Sequence, residues 1–353
     1  MPLRRWTPVG TLALTLSLAC AAALRADDVV LVPNSTVKEA TSKGIVRGTI
    51  QSESTTEVVV KLGATTTKIP TDQIVSITYT GQPADMALAE TSENQGALGK
   101  AIDLYKKAAG EAAEKPLVAQ LAQFKAADLT AELALTDPSK ANDAISLLNG
   151  FVKNNPTSRH IASATESLAR LQLSKADYAG IETSLATLAK LPGGADRAAV
   201  FRARILAKKN DHPGAIAELD RLIKAGPDGS VRQREAKLAR AESLAALKKY
   251  ADAETEVRSV IKALPPEETA AMASAYNTLG DCLKAAGRPK DALIAYLHTD
   301  LLYAKDKEQH PRALAQLVPL WRELKRDDRA DETLTRLKQE YPLSPWLSAR
   351  TSP

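Results

Sequence analysis

One small residue returns seven times along this chain in the same local setting. The intervals between its occurrences are 43, 36, 35, 38, 39 and 38 residues. The seven positions are Ala101, Ala144, Gly180, Ala215, Ala253, Ala292 and Ala330. Periods of this length are typical of architectures that stack pairs of helices. Because each pair buries its apolar face only against its neighbours, such a chain builds an extended surface rather than a single deep catalytic cleft.

Other residues keep fixed distances from this small position. Bulky side chains stand four residues beyond it, at Tyr105, Leu148, Leu219, Val257, Tyr296 and Leu334, and further apolar side chains stand seven beyond, at Ala108, Phe151, Leu222, Val260 and Leu337. Offsets of four and seven lie on one face of a helix. Prolines stand twelve beyond, at Pro156, Pro192, Pro227, Pro265 and Pro342. Since proline has no N–H to donate, it predicts the end of each such helix.

A second helix is predicted on the amino-terminal side of each small position. Twelve residues before it the better units carry another small residue, at Ala89, Ala203, Ala241 and Gly280, which lets two helices approach closely. Nine residues before it stand Leu171, Leu206, Leu244, Leu283 and Trp321. Gly96 and Gly287 stand five before, where a tight turn between antiparallel helices favours glycine.

The helix pairs resemble the tetratricopeptide repeat (TPR) family. The best unit is carried by Tyr276, Leu279, Gly280, Leu283, Gly287, Ala292 and Tyr296. The resemblance covers residues 84–350 and implies a mainly α fold, a TPR-like α-solenoid of about seven helix-turn-helix units. The interval of 43 residues predicts a lengthened pair, and the unit at Gly180, with Ser184 and Thr187, departs from the family pattern.

The amino terminus has the pattern of a secretory signal peptide. Arg4 and Arg5 precede an apolar run from Val9 to Leu24, and small residues at its end provide a cleavage site. We therefore expect residues 1–26 to be removed on export. An uncleaved anchor and lipidation at Cys20 are the alternatives, and membrane association is expected only with lipidation.

The charge of the chain depends partly on this segment. Removing Arg4, Arg5 and Arg25 changes the formal charge from +5 to 5 − 3 = +2. Charges of both signs alternate along the helices and aromatic residues make up only 4% of the chain, so no basic, aromatic stripe for nucleic acid is expected. Without Cys20, Cys282 is a single thiol, which excludes an intrachain disulfide and suits a packing role.

Residues 28–82 have a different composition. Alternating or β-branched runs at 46–50, 58–62 and 74–79 predict short strands separated by turns. We expect a small β-barrel-like domain with its own apolar core, weakly resembling Sm-like and SH3-like barrels. Gln82 and Pro83 mark its boundary with the solenoid at residues 84–350.

The sequence contains no motif for catalysis or for a cofactor. It has no glycine-rich phosphate loop, nucleophile elbow, His-Glu-x-x-His or paired-cysteine spacing. The four histidines, His160, His212, His298 and His310, share no helix face at ligand spacing. We therefore predict a protein that is not an enzyme, with no metal and no cofactor.

The resemblance to TPR proteins implies a concave groove lined by the first helix of each pair. Residues eleven before the small position, or one turn from those, are expected to face it. They are Arg204, Lys208, Glu242, Asn277, Asp281 and Lys284. Their mixed charge suits a protein or peptide partner. The pattern of lysines and asparagines that TPR proteins use to bind chain termini is not reproduced.

Three functions follow from these features. The first is a non-catalytic protein-protein interaction scaffold of a bacterial cell envelope, exported to the periplasm or envelope, which binds its partner in the groove. The second is a structural module that self-associates through its terminal repeats, where Trp346 and Leu347 either cap the last helix or meet a second chain. The third is a glycan-associated or peptidoglycan-associated accessory subunit of an envelope enzyme.

Overall fold

A computed structural model describes residues 26–32, 35–226, 229–342 and 344–348. In these residues the chain forms a small antiparallel sheet followed by seven antiparallel pairs of helices, which confirms the predicted fold class. The predicted signal peptide, including Cys20, lies outside the described residues except for Ala26.

The sheet contains five strands in the order β4-β3-β2-β1-β5. They are β1 (Asp27–Leu31), β2 (Ile45–Glu53), β3 (Glu57–Leu62), β4 (Thr65–Pro70) and β5 (Ile74–Thr78). Strand β2 pairs with β1 through its first half and with β3 through its second half, and the register shifts between Ile50 and Ser52. Such an irregularity bends a sheet. Within the described residues, β4 and β5 do not pair with each other, so the predicted barrel is not closed by hydrogen bonds.

The helices follow the predicted pairing. In chain order the pairs are α1 (Ala84–Asn94) with α2 (Leu98–Glu111), α3 (Pro116–Thr136) with α4 (Ala141–Asn154), α5 (Ile161–Ser174) with α6 (Tyr178–Leu188), α7 (Gly194–Lys208) with α8 (His212–Ala225), α9 (Val231–Ala246) with α10 (Tyr250–Ala263), α11 (Thr269–Ala285) with α12 (Pro289–Leu302), and α13 (Gln309–Glu323) with α14 (Asp327–Glu340). One further turn, α15 (Pro345–Ser348), follows, and its Trp346 and Leu347 pack against the core of the last pairs.

The repeated small residue is a packing position on the second helix of each pair. Its six alanines are fully buried. The small residue twelve before it brings the first helix close: a Cβ added at Gly280 would lie 2.6 Å from ring carbons of Tyr296. The turn residue five before it takes a left-handed conformation, with φ of 74° at Gly96 and 73° at Gly287. The repeated small residue, the close contact between the two helices and the left-handed turn therefore all belong to the same repeated helix pair.

The third pair has a different register from the predicted one. Gly180 is partly exposed, whereas Ile181 is fully buried, and Leu185 and Leu188 follow it at the expected offsets. The left-handed turn residue, Ala176, also stands five before Ile181. Gly180 instead donates its N–H to the capping carboxylate of Asp177, as Gly214 does to Asp211 before Ala215. The packing position is therefore Ile181, and a large side chain fills the place that small residues occupy elsewhere.

The interval of 43 residues has a direct structural cause. Helix α3 is 21 residues long, and one turn of 3-10 helix (Pro138–Lys140) separates it from α4. The predicted lengthened pair is thus the second one.

The sheet and the first helices share one apolar core. Val29, Val58 and Ile69 of the sheet belong to the same buried cluster as Met86 and Tyr105 of the first pair. The expectation that the sheet closes on a core of its own is therefore wrong, because its inner face is covered by helices.

A buried ion pair adds a second connection between the sheet and the helices. The guanidinium of Arg159, before α5, lies 2.9 Å from the Glu53 carboxylate of β2, and the two side chains are 9% and 2% exposed. The Tyr79 hydroxyl donates to the same carboxylate. The turn before α5, strand β2 and the residue that follows β5 therefore meet at one buried carboxylate.

The described helices include none that is both long and apolar enough to cross a membrane. Cys282 is buried within α11, and burial, with the nearby carboxylates of Asp281 and Glu242, raises the pKa of its thiol to about 12. It is therefore a packing side chain that stays protonated.

Candidate binding groove

The helix pairs are stacked in a curve. The first helices of successive pairs, such as α3 and α5 or α9 and α11, contact one another more closely than the second helices do. The first helices therefore form the inner side of the curve. We call this side the inner surface, and it is the surface that the resemblance implied as a groove.

Three cavities lie along the inner surface in the described part of the chain. The sheet-side cavity, of about 940 Å³, lies between β5 and the helices α1, α3 and α5. The middle cavity, of about 230 Å³, is bordered by Asp128, Glu132, Ser167, Arg170 and Asp306. The terminal cavity, of about 700 Å³, is bordered by Leu135, Lys208, Glu242, Arg312 and Trp346.

The loop between α12 and α13 crosses the inner surface. Lys307 and Glu308 line both the middle and the terminal cavities. The Glu308 carboxylate lies 3.2 Å from the guanidinium of Arg170 on α5. The side chain of Lys307 reaches within 3.7 Å of the place that a Cβ would occupy at Gly96, in the first turn of the solenoid. The loop, which we call the crossing loop (303–308), thus connects the end of the solenoid to its beginning.

Two of the predicted groove residues face the same cavity. Lys208 at the end of α7 and Glu242 on α9 both line the terminal cavity. The Glu242 carboxylate is half exposed and lies 3.7 Å from Arg312 on α13. Burial would lower the pKa of Arg312, but Asp281 and Glu242 raise it above its ordinary value. A cation and a carboxylate are thus fixed side by side, with Lys208 on the same wall.

Two more predicted residues lie beside this cavity and have partners within the chain. Asp281 accepts hydrogen bonds from Arg312 and, at 2.5 Å, from the Tyr296 hydroxyl. Lys284 donates to Gln316 at 2.9 Å. They hold α11 against α12 and α13, and they support the cavity rather than line it.

The remaining two predicted residues do not line any of these cavities. Asn277 is fully buried, and its amide donates to the Gln309 carbonyl at 2.9 Å. The prediction that Asn277 faces the groove is wrong, because its turn of α11 lies under the start of α13. Arg204 is half-buried and stacks over the Phe201 ring of its own helix, with 5.6 Å between guanidinium carbon and ring centroid.

Sequence reasoning missed Arg170, Arg312 and the crossing loop. With Ile181 as the packing position, Arg170 stands eleven residues before it and follows the groove rule. In the last pair that offset falls on Pro319, which carries no charge, whereas Arg312 lies two turns earlier on the same helix face. The crossing loop has no period, so only the curvature of the whole solenoid brings it to the inner surface.

The terminal cavity combines charged and apolar side chains. Leu135, Pro311 and Trp346 provide its apolar part, and Lys208, Glu242 and Arg312 provide charges of both signs. Such a surface offers apolar contact and directed hydrogen bonds to a polar chain. In the described residues, no group of three His, Cys, Asp or Glu side chains is placed to hold a metal ion.

Part of this chain matches a family model, and solved structures are similar to it. Residues 166–230 match the family model described as tetratricopeptide repeat. The apo form of the quorum sensor NprR from B. thuringiensis is 13% identical and has a TM-score of 0.52, and the match covers 72% of this chain and 74% of that one. A tetratricopeptide repeat protein from Parabacteroides merdae is 13% identical, with a TM-score of 0.48 and coverage of 75% and 96%. A search of curated protein sequences finds no match to this chain.

Proposed function

We propose that this chain is a tetratricopeptide repeat protein that acts as a non-catalytic scaffold, and that its inner surface binds an extended segment of another protein. The TPR fold is associated in general with protein-protein interaction. The proposal that the partner binds in the terminal cavity rests on the geometry of this chain.

The observation that carries the proposal is the convergence of separate elements on the terminal cavity. Lys208, Glu242 and Arg312 come from three different first helices, and Trp346 comes from the last turn. Because these charged side chains come from several helix pairs, they favour a partner segment that is extended and contacts several pairs at once. An apolar side chain of that segment would contact Leu135 and Trp346 while its charged neighbours meet Lys208 and Glu242.

We also propose that the protein acts in the bacterial cell envelope. This part of the proposal is supported by the amino-terminal sequence alone, in which Arg4 and Arg5 precede an apolar run with small residues at its end. Fractionation of cells that express the full chain, with amino-terminal sequencing of the mature protein, tests it. An intact amino terminus in the cytoplasmic fraction would refute export.

Photocrosslinking at defined positions tests the binding surface. A photoreactive phenylalanine analogue at Lys208 or Glu242 is expected to capture a partner in the native cells. The matched control is the same analogue at Lys262, an exposed residue on the second helix α10 and therefore on the outer side of the curve. Capture from both sides, or from Lys262 alone, would contradict the proposal.

Charge reversal gives an independent measurement. Lys208→Glu and Glu242→Lys should each reduce the yield of the crosslinked partner from the neighbouring position by about 10-fold, since each removes a charge contact and adds a repulsion. Neither residue is buried, so the melting temperature should stay close to that of the unmodified protein. An unchanged yield in both variants would place the binding site elsewhere.

A further inference from the structure

The sheet-side cavity is bordered by the edge of a strand. Five consecutive residues of β5, Ile74–Thr78, line it. Successive side chains of a strand point to opposite faces, so a cavity that touches all five borders the strand's edge and not only one of its faces. In the described part of the sheet, β5 pairs with β1 on one side and with no strand on the other.

Strand β5 is the last strand of the sheet, and its Val75 side chain is 59% exposed. The register between β1 and β5 shifts at Val75, so the irregularity lies on the paired side of β5 and leaves the other side open. An exposed edge with unpaired backbone groups is a template for another strand.

The helical wall of this cavity has an aromatic part. Phe124 of α3 and His160 stack with 4.3 Å between ring centroids and 15° between ring planes. Within the described residues, Nε2 of His160 is a buried atom with no hydrogen-bond partner. Burial, with Arg159 and Lys125 nearby, lowers the pKa of His160 well below its ordinary value, so the imidazole is neutral. The wall thus offers an apolar, uncharged surface.

The charges around the cavity are not balanced. Each of its three cations has a carboxylate partner: Lys125 lies 2.8 Å from Glu93, Arg159 lies 2.9 Å from Glu53, and Arg197 lies 3.4 Å from Glu166. The carboxylates of Asp72 and Glu90 also line the cavity. In the described chain they form no ion pair. The charge that remains to be neutralised is therefore negative.

We propose that the sheet-side cavity binds an extended, cationic peptide segment of another protein, which adds to the open edge of β5 as a sixth strand. Main-chain hydrogen bonds to β5 give affinity, and alternate side chains meet the Phe124–His160 wall. Basic side chains of the segment pair with Asp72 and Glu90. Five residues of strand span about 17 Å, so a segment of five to seven residues matches the edge.

The cavity selects a single strand over a second copy of this sheet. Helices α3 and α5 stand opposite the edge and leave a cleft rather than an open face. A whole sheet needs free space on both sides of the edge that it joins, whereas a single extended chain does not. This site is separate from the terminal cavity, so either proposal can fail without the other.

Peptide selection on the full-length chain tests the proposal. Phage-displayed random heptapeptides are selected first on the unmodified protein, and the bound sequences are expected to be enriched in Lys, Arg and β-branched residues. Binding of the selected synthetic peptides should fall at least 10-fold for Asp72→Lys combined with Glu90→Lys, and should be unchanged by Lys208→Glu. Peptides that respond only to Lys208→Glu, or no selected peptide at all, would overturn the proposal.

The strand geometry has its own test, which leaves the protein unaltered. N-methylation of alternate amides of a selected peptide should reduce affinity at least 10-fold in one alternating set and by less than about threefold in the other, because only one set faces β5. Equal effects of both sets would refute strand addition.

Substitutions of Val75 test the edge of β5 directly. Val75→Lys adds a positive charge to an exposed side chain at the edge and should reduce binding of the cationic peptides at least 10-fold, whereas Val75→Thr adds no charge and should bind as the unmodified protein does. Far-ultraviolet circular dichroism confirms that both variants fold. Sedimentation velocity identifies the competing occupant, since a concentration-dependent dimer that Val75→Lys abolishes would mean that a second copy occupies the edge.

Discussion

At the scale of single residues, Asp300 joins three helices through one buried carboxylate. It lies at the end of α12, 2.9 Å from Nε2 of His310 on α13, and it accepts hydrogen bonds from the guanidinium of Arg336 on α14 at 2.8 and 3.0 Å. The other ring nitrogen of His310 lies 2.8 Å from the Tyr341 hydroxyl. These four side chains fix the last pair against the preceding one, so they have a structural role.

The network makes stability depend on pH. Burial alone would raise the pKa of Asp300, but the hydrogen bonds from His310 and Arg336 lower it below its ordinary value of 3.8. A carboxylate whose pKa is lower in the folded state stabilises the fold above its unfolded pKa, and this contribution is lost as pH falls through the folded value.

We therefore predict that Asp300→Asn lowers the free energy of unfolding by about 2 kcal/mol near neutral pH, and by clearly less at about pH 3. Urea unfolding followed by circular dichroism at the two pH values measures the difference. Asp331→Asn is the matched control, because the Asp331 side chain is 75% exposed and its removal should cost little at either pH. Equal losses for Asp300→Asn at both pH values would contradict the assigned network.

A second residue-scale prediction concerns Gly280. Because an added Cβ would meet the Tyr296 ring at 2.6 Å, Gly280→Ala should lower the free energy of unfolding by about 1–3 kcal/mol. Gly150 on α4 is the control, since nothing lies within 4 Å of its added Cβ. Gly150→Ala should instead raise stability by about 0.5–1 kcal/mol through helix propensity. Thermal melts of the two variants that shift in the same direction would count against the close helix approach.

At the scale of elements, the repeat period was enough to predict the helices but not every register. The predicted pairs, the turn glycines and the lengthened second pair are confirmed, because each depends on local spacing and backbone chemistry. The third pair was misplaced by one residue because a glycine stands beside the true packing position. Only the burial of Ile181 against its neighbours distinguishes the two, and that is a tertiary property.

The register of α6 predicts a specific mutational result. Ile181→Ala should lower the free energy of unfolding by about 2–5 kcal/mol, because it opens a cavity at a fully buried site. Thr183→Ala, two residues further on the exposed side of the same helix, should change it by less than about 0.5 kcal/mol. Chemical denaturation of both proteins measures the contrast. If Ile181→Ala behaved like the control, Gly180 would be restored as the packing residue.

The candidate groove was predicted only in part for a related reason. Lys208 and Glu242 were found because they keep the helical spacing of the first helices. Asn277 has the same spacing, yet it is buried by the neighbouring helix start, which no periodic rule describes. Trp346 and the crossing loop enter the surface through the curvature of the stack, which the sequence pattern does not specify.

At the scale of the whole molecule, the sheet is part of the solenoid's packing. Residues Met86 and Tyr105 of the first pair are buried in the same cluster as the strands. Deleting residues 28–82 would expose the apolar side chains of that cluster on α1–α3. A binding experiment with such a deletion would therefore not distinguish loss of the sheet from damage to the first helices. Single substitutions at Lys208 or Val75 separate the two binding surfaces without that complication.

The crossing loop gives a whole-molecule prediction. Arg170→Glu should place two like charges together and speed hydrogen exchange of the amides at 303–308, and Arg170→Glu with Glu308→Arg should restore the slow rate. Because the pair is half exposed, global stability should change by less than about 1 kcal/mol. Arg221→Glu, at an exposed pair within α8, is the control. Unchanged exchange in the single variant would mean that the contact does not hold the loop.

The contacts of the crossing loop also bear on how such a protein can change over evolutionary time. Solenoids commonly gain or lose units by duplication, because each unit touches only its neighbours. Here Glu308 meets Arg170 and Lys307 reaches the turn at Gly96, so the distance between units far apart in sequence is fixed. Adding or deleting one unit would move the crossing loop out of reach of Arg170 and of the turn at Gly96. Relatives that keep these contacts should therefore vary in their loops and surfaces while retaining seven units.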